Sequence, residues 1–190
     1  MPHYITNTLR TLTLALLVGC MITITAFEPV SAQGRDRSNP RVSPNAVVHQ
    51  TIGTTDVAIT YGRPSVRDRV IFGVLVPFGE VWRAGANEAT TITFSDDVFI
   101  EGEPVEAGTY GLFTIPREDE NWTIILNSTA NQWGAYDYNN EEDVLRVDVS
   151  AEEVPRREQM MFFFEDVDAT SGTIVLHWDT ARVPFRVEVD

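Results

Sequence analysis

Lysine is absent from the chain, and Cys20 is its only cysteine. All 14 basic side chains that could face water permanently charged are therefore arginines, set against 28 Asp and Glu, for a formal net charge of −14. A surface of that sign repels phosphate backbones and anionic lipid headgroups, which argues against nucleic-acid binding and electrostatic docking to membranes. Because Cys20 lies in an N-terminal apolar stretch, the rest of the chain can form no disulfide and perform no thiol catalysis. Also missing are a Ser-centred nucleophile motif, a His-x-x-x-His pair, zinc-type cysteine spacing and a glycine-rich phosphate loop, so neither a cofactor nor a metal is expected. The acidic, lysine-free composition suits a protein kept soluble in high salt, where screening relieves self-repulsion. A GC-rich genome that favours Arg codons would produce the same bias.

What the N-terminus does contain is a basic residue, Arg10, then a run from Thr11 to Phe27 that is almost wholly apolar or Thr, closed by Glu28-Pro29-Val30-Ser31-Ala32. This is the three-part layout of a secretory signal peptide, with cleavage expected before Gln33. Leu17-Val18-Gly19-Cys20 offers a second reading, a lipoprotein motif in which Cys20 is acylated. The apolar run continues past Cys20, and Val30-Ser31-Ala32 would then have no role, so ordinary cleavage is preferred. The run is marginal for a membrane span, and no span is expected in the mature form. The chain thus divides into a signal peptide (1–32), a Gly-, Arg-, Ser- and Pro-containing linker (33–44) and a single domain (45–190) in the periplasm, outside the cell, or tethered to the envelope by lipid.

From residue 45 onward, short β-type runs alternate with Gly, Pro, Asn and Asp clusters, and helical spacing is nearly absent. Strands are expected at Val47–Ile52, Asp56–Tyr61, Thr90–Phe94, Val98–Glu101, Gly108–Ile115, Trp122–Asn127, Val144–Val149, Met160–Asp166, Thr173–Asp179 and Phe185–Val189. Alternation such as Ile92 and Phe94, or Trp122, Ile124 and Leu126, buries one face. About ten such strands predict an all-β fold, an antiparallel sandwich in preference to a barrel. Turns are expected at Gly102-Glu103-Pro104 and at Ala169-Thr170-Ser171-Gly172. Two long connections, Gly62–Ala89 and Ser128–Asp143, carry little regular pattern and are where binding residues would sit.

Four stretches carry a family resemblance: Tyr61-Gly62-Arg63-Pro64; the run from Phe72 to Thr91, which contains Trp82-Arg83-Ala84-Gly85-Ala86-Asn87-Glu88; the run from Ala107 to Pro116; and Asn131-Gln132-Trp133-Gly134-Ala135-Tyr136. Together they resemble exported bacterial proteins grouped as the domain of unknown function 2911 family, over about Ser43 to Val189. The resemblance implies an exported β-rich domain, and it implies no activity.

The residues themselves suggest a site. Arg63, Arg67, Arg69 and Arg83 concentrate positive charge in one irregular stretch of an acidic chain, and a guanidinium binds carboxylates or sugar acids with two parallel hydrogen bonds. The reading preferred for these arginines is internal: they pair with Asp68, Glu80 and Glu88 and pin the loop. Trp82, Tyr110, Trp133, Tyr136 and Tyr138 could stack on sugar faces or, for Trp82, on a guanidinium; core packing is the preferred reading across the set, for Trp82 and Tyr110 above all, while the loop position of 133–138 favours exposure there. Asn87 and Glu88 complete the candidate set of Arg63, Arg69, Trp82, Arg83, Asn87, Glu88, Trp133 and Tyr136. Glu88 is a weak candidate for a general base, with Arg83 stabilising an anionic transition state; that role requires an accessible carboxyl with a raised pKa. A metal site from His49, His177 and Glu88 would need the fold to bring them together. Three functions follow: non-catalytic binding of a small anionic or carbohydrate ligand or an envelope protein, which is preferred; a hydrolase; and a purely structural domain.

Overall fold

The computed structural model describes residues 35, 36, 38–118 and 121–190. The expected signal peptide and Cys20 lie outside the described residues. Among the described residues ten strands form: β1 (Asn45–Ile52), β2 (Thr55–Gly62), β3 (Thr90–Phe94), β4 (Val98–Ile100), β5 (Glu103–Val105), β6 (Gly108–Ile115), β7 (Trp122–Asn127), β8 (Asp143–Val149), β9 (Glu152–Glu165) and β10 (Ser171–Glu188). They make a six-stranded sheet, β1-β2-β3-β6-β7-β8, and a four-stranded sheet, β5-β4-β10-β9, with every pairing antiparallel. Both sheets keep open edges, so the architecture is the expected sandwich and not a closed barrel.

One face of each sheet supplies the core. Ile59, Ile92, Leu112, Leu126 and Leu145 come from the six-stranded sheet, and Ile100, Ile174, Leu176, Trp178, Phe185 and Val187 from the four-stranded one. Trp178 stacks on Trp82 at 5.7 Å, and Phe72 meets Trp122 edge-on at 4.8 Å. The Tyr61 hydroxyl accepts the Phe162 amide at 3.1 Å and ties one sheet to the other. Tyr110 packs against this core as well.

The strands differ from the sequence reading in three places. β10 is one strand where two were expected, because a bulge with Asp179 at φ 51° shifts its register. Even-numbered residues face the core before it (Ile174, Leu176, Trp178) and odd-numbered ones after it (Val183, Phe185, Val187). The alternation therefore changes phase and reads as two separate runs. β9 begins at Glu152, well before the expected Met160. Its first half is polar and exposed, and it lies at a sheet edge where Pro155 costs no ladder bond. β5 holds Pro104 at the other edge; the reversal before it is made by Glu101 (φ 51°) and Gly102 (φ 84°), a two-residue turn whose positive φ values match strand twist.

Candidate binding face

The six-stranded sheet carries a second, smaller apolar cluster on its other face. Ala89, Phe113, Ile115 and Ile125 are buried there under Val81, Ala135 and Tyr138. This explains why every residue of β7 is buried. Burying a ring such as Phe113 contributes about 2–3 kcal/mol, so the cover is worth keeping in place. Two segments provide it. Trp82 exchanges backbone hydrogen bonds with Thr114, both 2.8 Å, beyond the end of β3, leaving Trp82 in the main core and Val81 on the outer cluster. The 128–142 segment supplies Ala135 and Tyr138. It is fastened where the Tyr138 hydroxyl donates to Asp143 Oδ2 and accepts from Arg146 Nη2, both at 2.6 Å. Burial, followed by the Asp143 hydrogen bond, pushes the Tyr138 phenol up to about 12.

These two segments also pair with each other. Ala89 N–H donates to Gln132 O at 3.0 Å and Gly134 N–H to Asn87 O at 3.0 Å, an antiparallel bridge of Glu88 with Trp133. The 84–87 turn is strained, with Ala84 at φ 48° and Asn87 at φ 66°. It is held by Thr90 Oγ1 donating to Ala84 O at 3.0 Å and by Asn87 Nδ2 donating to Ser43 O at 3.2 Å. Gly62 is required beneath it, since a Cβ there would sit 2.0 Å from Ala86 O.

The fold therefore brings Arg83, Asn87, Glu88, Trp133 and Tyr136 into one neighbourhood. At Gly134 (φ 67°), the point a Cβ would occupy lies 3.1 Å from the Tyr136 ring and 3.9 Å from Arg83 Nη1. Trp133 is 56% and Tyr136 84% exposed. Arg83 is partly buried, and among the described residues its side chain has no ion pair and no hydrogen-bond partner, with Nε fully enclosed. Burial pulls its pKa below the ordinary value, while the nearby Tyr136 acts in the opposite sense.

The rest of the candidate set lies elsewhere. Arg63 Nε donates to Met160 O at 2.7 Å, and Arg69 donates to Val66 O at 3.0 Å and Ser65 O at 2.7 Å. Arg67 Nη2 reaches Val42 O at 3.2 Å. These three hold the loop through backbone carbonyls, so the expected pairing with Asp68, Glu80 and Glu88 is corrected. Trp82 takes the core-packing reading and not the stacking one: its indole donates to Gly85 O at 3.2 Å, and its ring belongs to the main core.

Glu88 takes its partners from the segment read as a linker. Arg41 Nη1 and Nη2 grip its two oxygens at 2.6 and 2.8 Å. Arg35, its side chain only 2% exposed, reaches Glu88 at 3.5 Å and donates to Thr60 O at 3.0 Å and Ala89 O at 2.6 Å. The Arg41 hydrogen bond holds the Glu88 carboxyl below the usual carboxylate range, the reverse of what a tuned general base requires. Sequence reasoning missed Arg35 and Arg41, because a Gly-, Ser- and Pro-containing stretch without periodicity gives no contact signal. His49 pairs with Asp56 at 3.3 Å on the β1–β2 hairpin, and His177 Nδ1 accepts from Arg157 at 3.2 Å on β10. Among the described residues no three His, Cys, Asp or Glu side chains are grouped to hold a metal.

A family model described as "Protein of unknown function (DUF2911)" matches residues 43–187. No curated protein and no solved structure matches the chain.

Proposed function

The chain belongs to the DUF2911 family of proteins of unknown function, and from that premise we propose that it is an exported, non-catalytic domain that binds a small anionic ligand of carbohydrate type at Arg83, Trp133 and Tyr136. The observation that carries this reading is Arg83, a guanidinium without an ion pair among the described residues, set beside an exposed aromatic ring. A desolvated cation left unpaired is costly, and a carboxylate arriving from solvent supplies the missing partner in two-pronged geometry. Exposed aromatic faces add stacking surface for a sugar ring, whose hydroxyls find Asn87 and backbone groups nearby. The acidic surroundings then act as a filter, admitting a ligand that this cation can reward and repelling polyanions.

The hydrolase reading draws no support from Glu88, which is clamped by two guanidiniums and shifted downward. The structural reading accounts for Arg63, Arg67 and Arg69 but leaves Arg83 unexplained.

A thermal-shift comparison of glucuronate and galacturonate with glucose tests the proposal. Ligand at 100 times its dissociation constant adds about 2.7 kcal/mol, a shift of several degrees for a domain of this size. Stabilisation by the uronates should disappear in Arg83→Met and weaken in Tyr136→Ala. A uronate shift that survives Arg83→Met undiminished, or the absence of any uronate effect on the wild-type protein, removes this function.

A further inference from the structure

Arg35 enters the body of the protein as a guest. Its guanidinium fills a pocket beside the start of β3, where Nη2 donates to Thr60 O at 3.0 Å and to Ala89 O at 2.6 Å and Nη1 reaches Glu88 Oε2 at 3.5 Å. The side chain is 2% exposed. We propose that this pocket is a recognition site for the guanidinium head of an arginine side chain, plugged in this structure by the chain's own Arg35 and open to an arginine of another polypeptide when Arg35 withdraws.

The acceptors of the pocket are fixed by the fold and not by the guest. Thr60 belongs to β2 and stands opposite Thr91 of β3, and the Ala89 amide donates to Gln132 O at 3.0 Å. Both carbonyls are thus set by the sheet and by the bridge of Glu88 with Trp133. Arg41 holds the Glu88 carboxylate in position independently of Arg35. Two carbonyls and a carboxylate converging on one point suit a planar, cationic donor fork, which serves all three at once. Acceptors held this way add no ordering cost on binding.

Two observations mark the pocket as more than a resting place for Arg35. Thr60, Glu88, Ala89 and Gln132 lie within the stretch that the family model matches, residues 43–187, whereas Arg35 lies ahead of it. The domain supplies the pocket, and the preceding segment supplies the guest. The fit is also incomplete. About 40 Å³ remains beside the guanidinium, lined in part by Glu88, Thr91, Asn131 and Gln132. Gln132 is 8% exposed, and its Oε1, shut off from water, has no hydrogen-bond partner among the described residues. A buried acceptor left unmatched is costly, and Arg35 reaches Glu88 only at the long distance of 3.5 Å. An arginine not tied to this backbone can settle closer to both. The net charge of −14 draws such a cation inward. This pocket selects a cation and the Arg83 face an anion, so neither proposal depends on the other.

Arg35→Ala in the full chain cuts the guest back to Cβ and opens the pocket. N-acetylargininamide at about 10 mM should then raise the melting midpoint of the variant by about 2–4 °C, the shift expected for a dissociation constant near 1 mM. N-acetylcitrullinamide has nearly the same shape without the charge, and N-acetyllysinamide has the charge without the fork; both should shift it little. Wild type, already plugged, should respond little to any of the three. Adding Glu88→Gln to Arg35→Ala should abolish most of the response, whereas adding Arg83→Met should keep it. If Arg35→Ala does not fold alone, N-acetylargininamide should restore its β-sheet circular dichroism where the citrulline compound does not. An equal effect of the citrulline compound, an undiminished shift in wild type, or no response of Arg35→Ala up to about 50 mM would each overturn the assignment.

Discussion

Arg83 and Glu88 stand five positions apart, on either side of the strained 84–87 turn, and the fold treats them in opposite ways. Glu88 is saturated, gripped by Arg41 through both oxygens and approached by Arg35. Arg83 is left with no ion-pair partner among the described residues, although its Nε is out of water. Their pKa shifts follow: hydrogen bonding from Arg41 pulls Glu88 down, and burial pulls Arg83 down. For Glu88 the shift records stabilisation of the charged form, for Arg83 its penalty. A buried charge with partners is an anchor, and a buried charge without them is a place where a partner from outside can gain free energy. Proximity in sequence therefore says little about role.

The largest effect should come from breaking the anchored half. Glu88→Ala leaves Arg35, whose side chain is 2% exposed, with two carbonyl partners but no counter-charge. A fully buried pair broken this way costs roughly 3–5 kcal/mol; with Glu88 itself 22% exposed, a loss of about 2–3 kcal/mol is expected by chemical denaturation. The sign of the pH dependence follows from the lowered pKa. Because the folded state binds the proton less well than the unfolded chain, the contribution of Glu88 is complete above its ordinary value of 4.5 and disappears as pH falls through the depressed folded value. The stability gap between wild type and Glu88→Ala should thus be widest near neutrality and close in acid. A gap that stays constant with pH would show that Glu88 contributes through packing and not through its charge.

Which parts of this were legible in the sequence follows from period and range. Strands with one buried face announced themselves by alternation, as in β3 with Ile92 and Phe94, and the sandwich followed from their number and spacing. Signals failed where the cause was not side-chain burial. The first half of β9 is a strand because β10 pairs with it, and the bulge at Asp179 changed the phase of the alternation. At the site, Arg83, Trp133 and Tyr136 stood out by residue type on loops. Their convergence depends on the bridge of Glu88 with Trp133, which no local pattern encodes. The partners of Glu88 sit 47 and 53 residues away, in a segment whose composition reads as a tether.

The unpaired half is tested by Arg83→Met, which keeps the stem and removes the charge. Replacing a desolvated, unpartnered cation by an apolar chain of similar length should leave stability within about 1 kcal/mol of wild type, or raise it. The contrast with Glu88→Ala is the point: two charged residues flanking one turn, opposite consequences. A loss approaching that of Glu88→Ala would mean that Arg83 is anchored too, and the binding proposal would lose its basis.

Tyr136→Phe sharpens the contrast with the smallest expected effect. Tyr136 is the group whose electrostatic influence on Arg83 opposes burial, and its ring lies against the same Gly134 position. At 84% exposure its hydroxyl is mostly hydrated, so removing it should change stability by no more than about 0.5 kcal/mol. Double-mutant coupling with Arg83→Met should then be near zero, because hydrated groups interact weakly at this range. Substantial coupling would identify the phenol as the internal partner of Arg83 and make the aromatic-guanidinium pair a structural clasp. Near-zero coupling, with uronate stabilisation intact in Tyr136→Phe and lost in Arg83→Met, would leave the guanidinium open to ligand and assign the ring a stacking role that needs no hydroxyl.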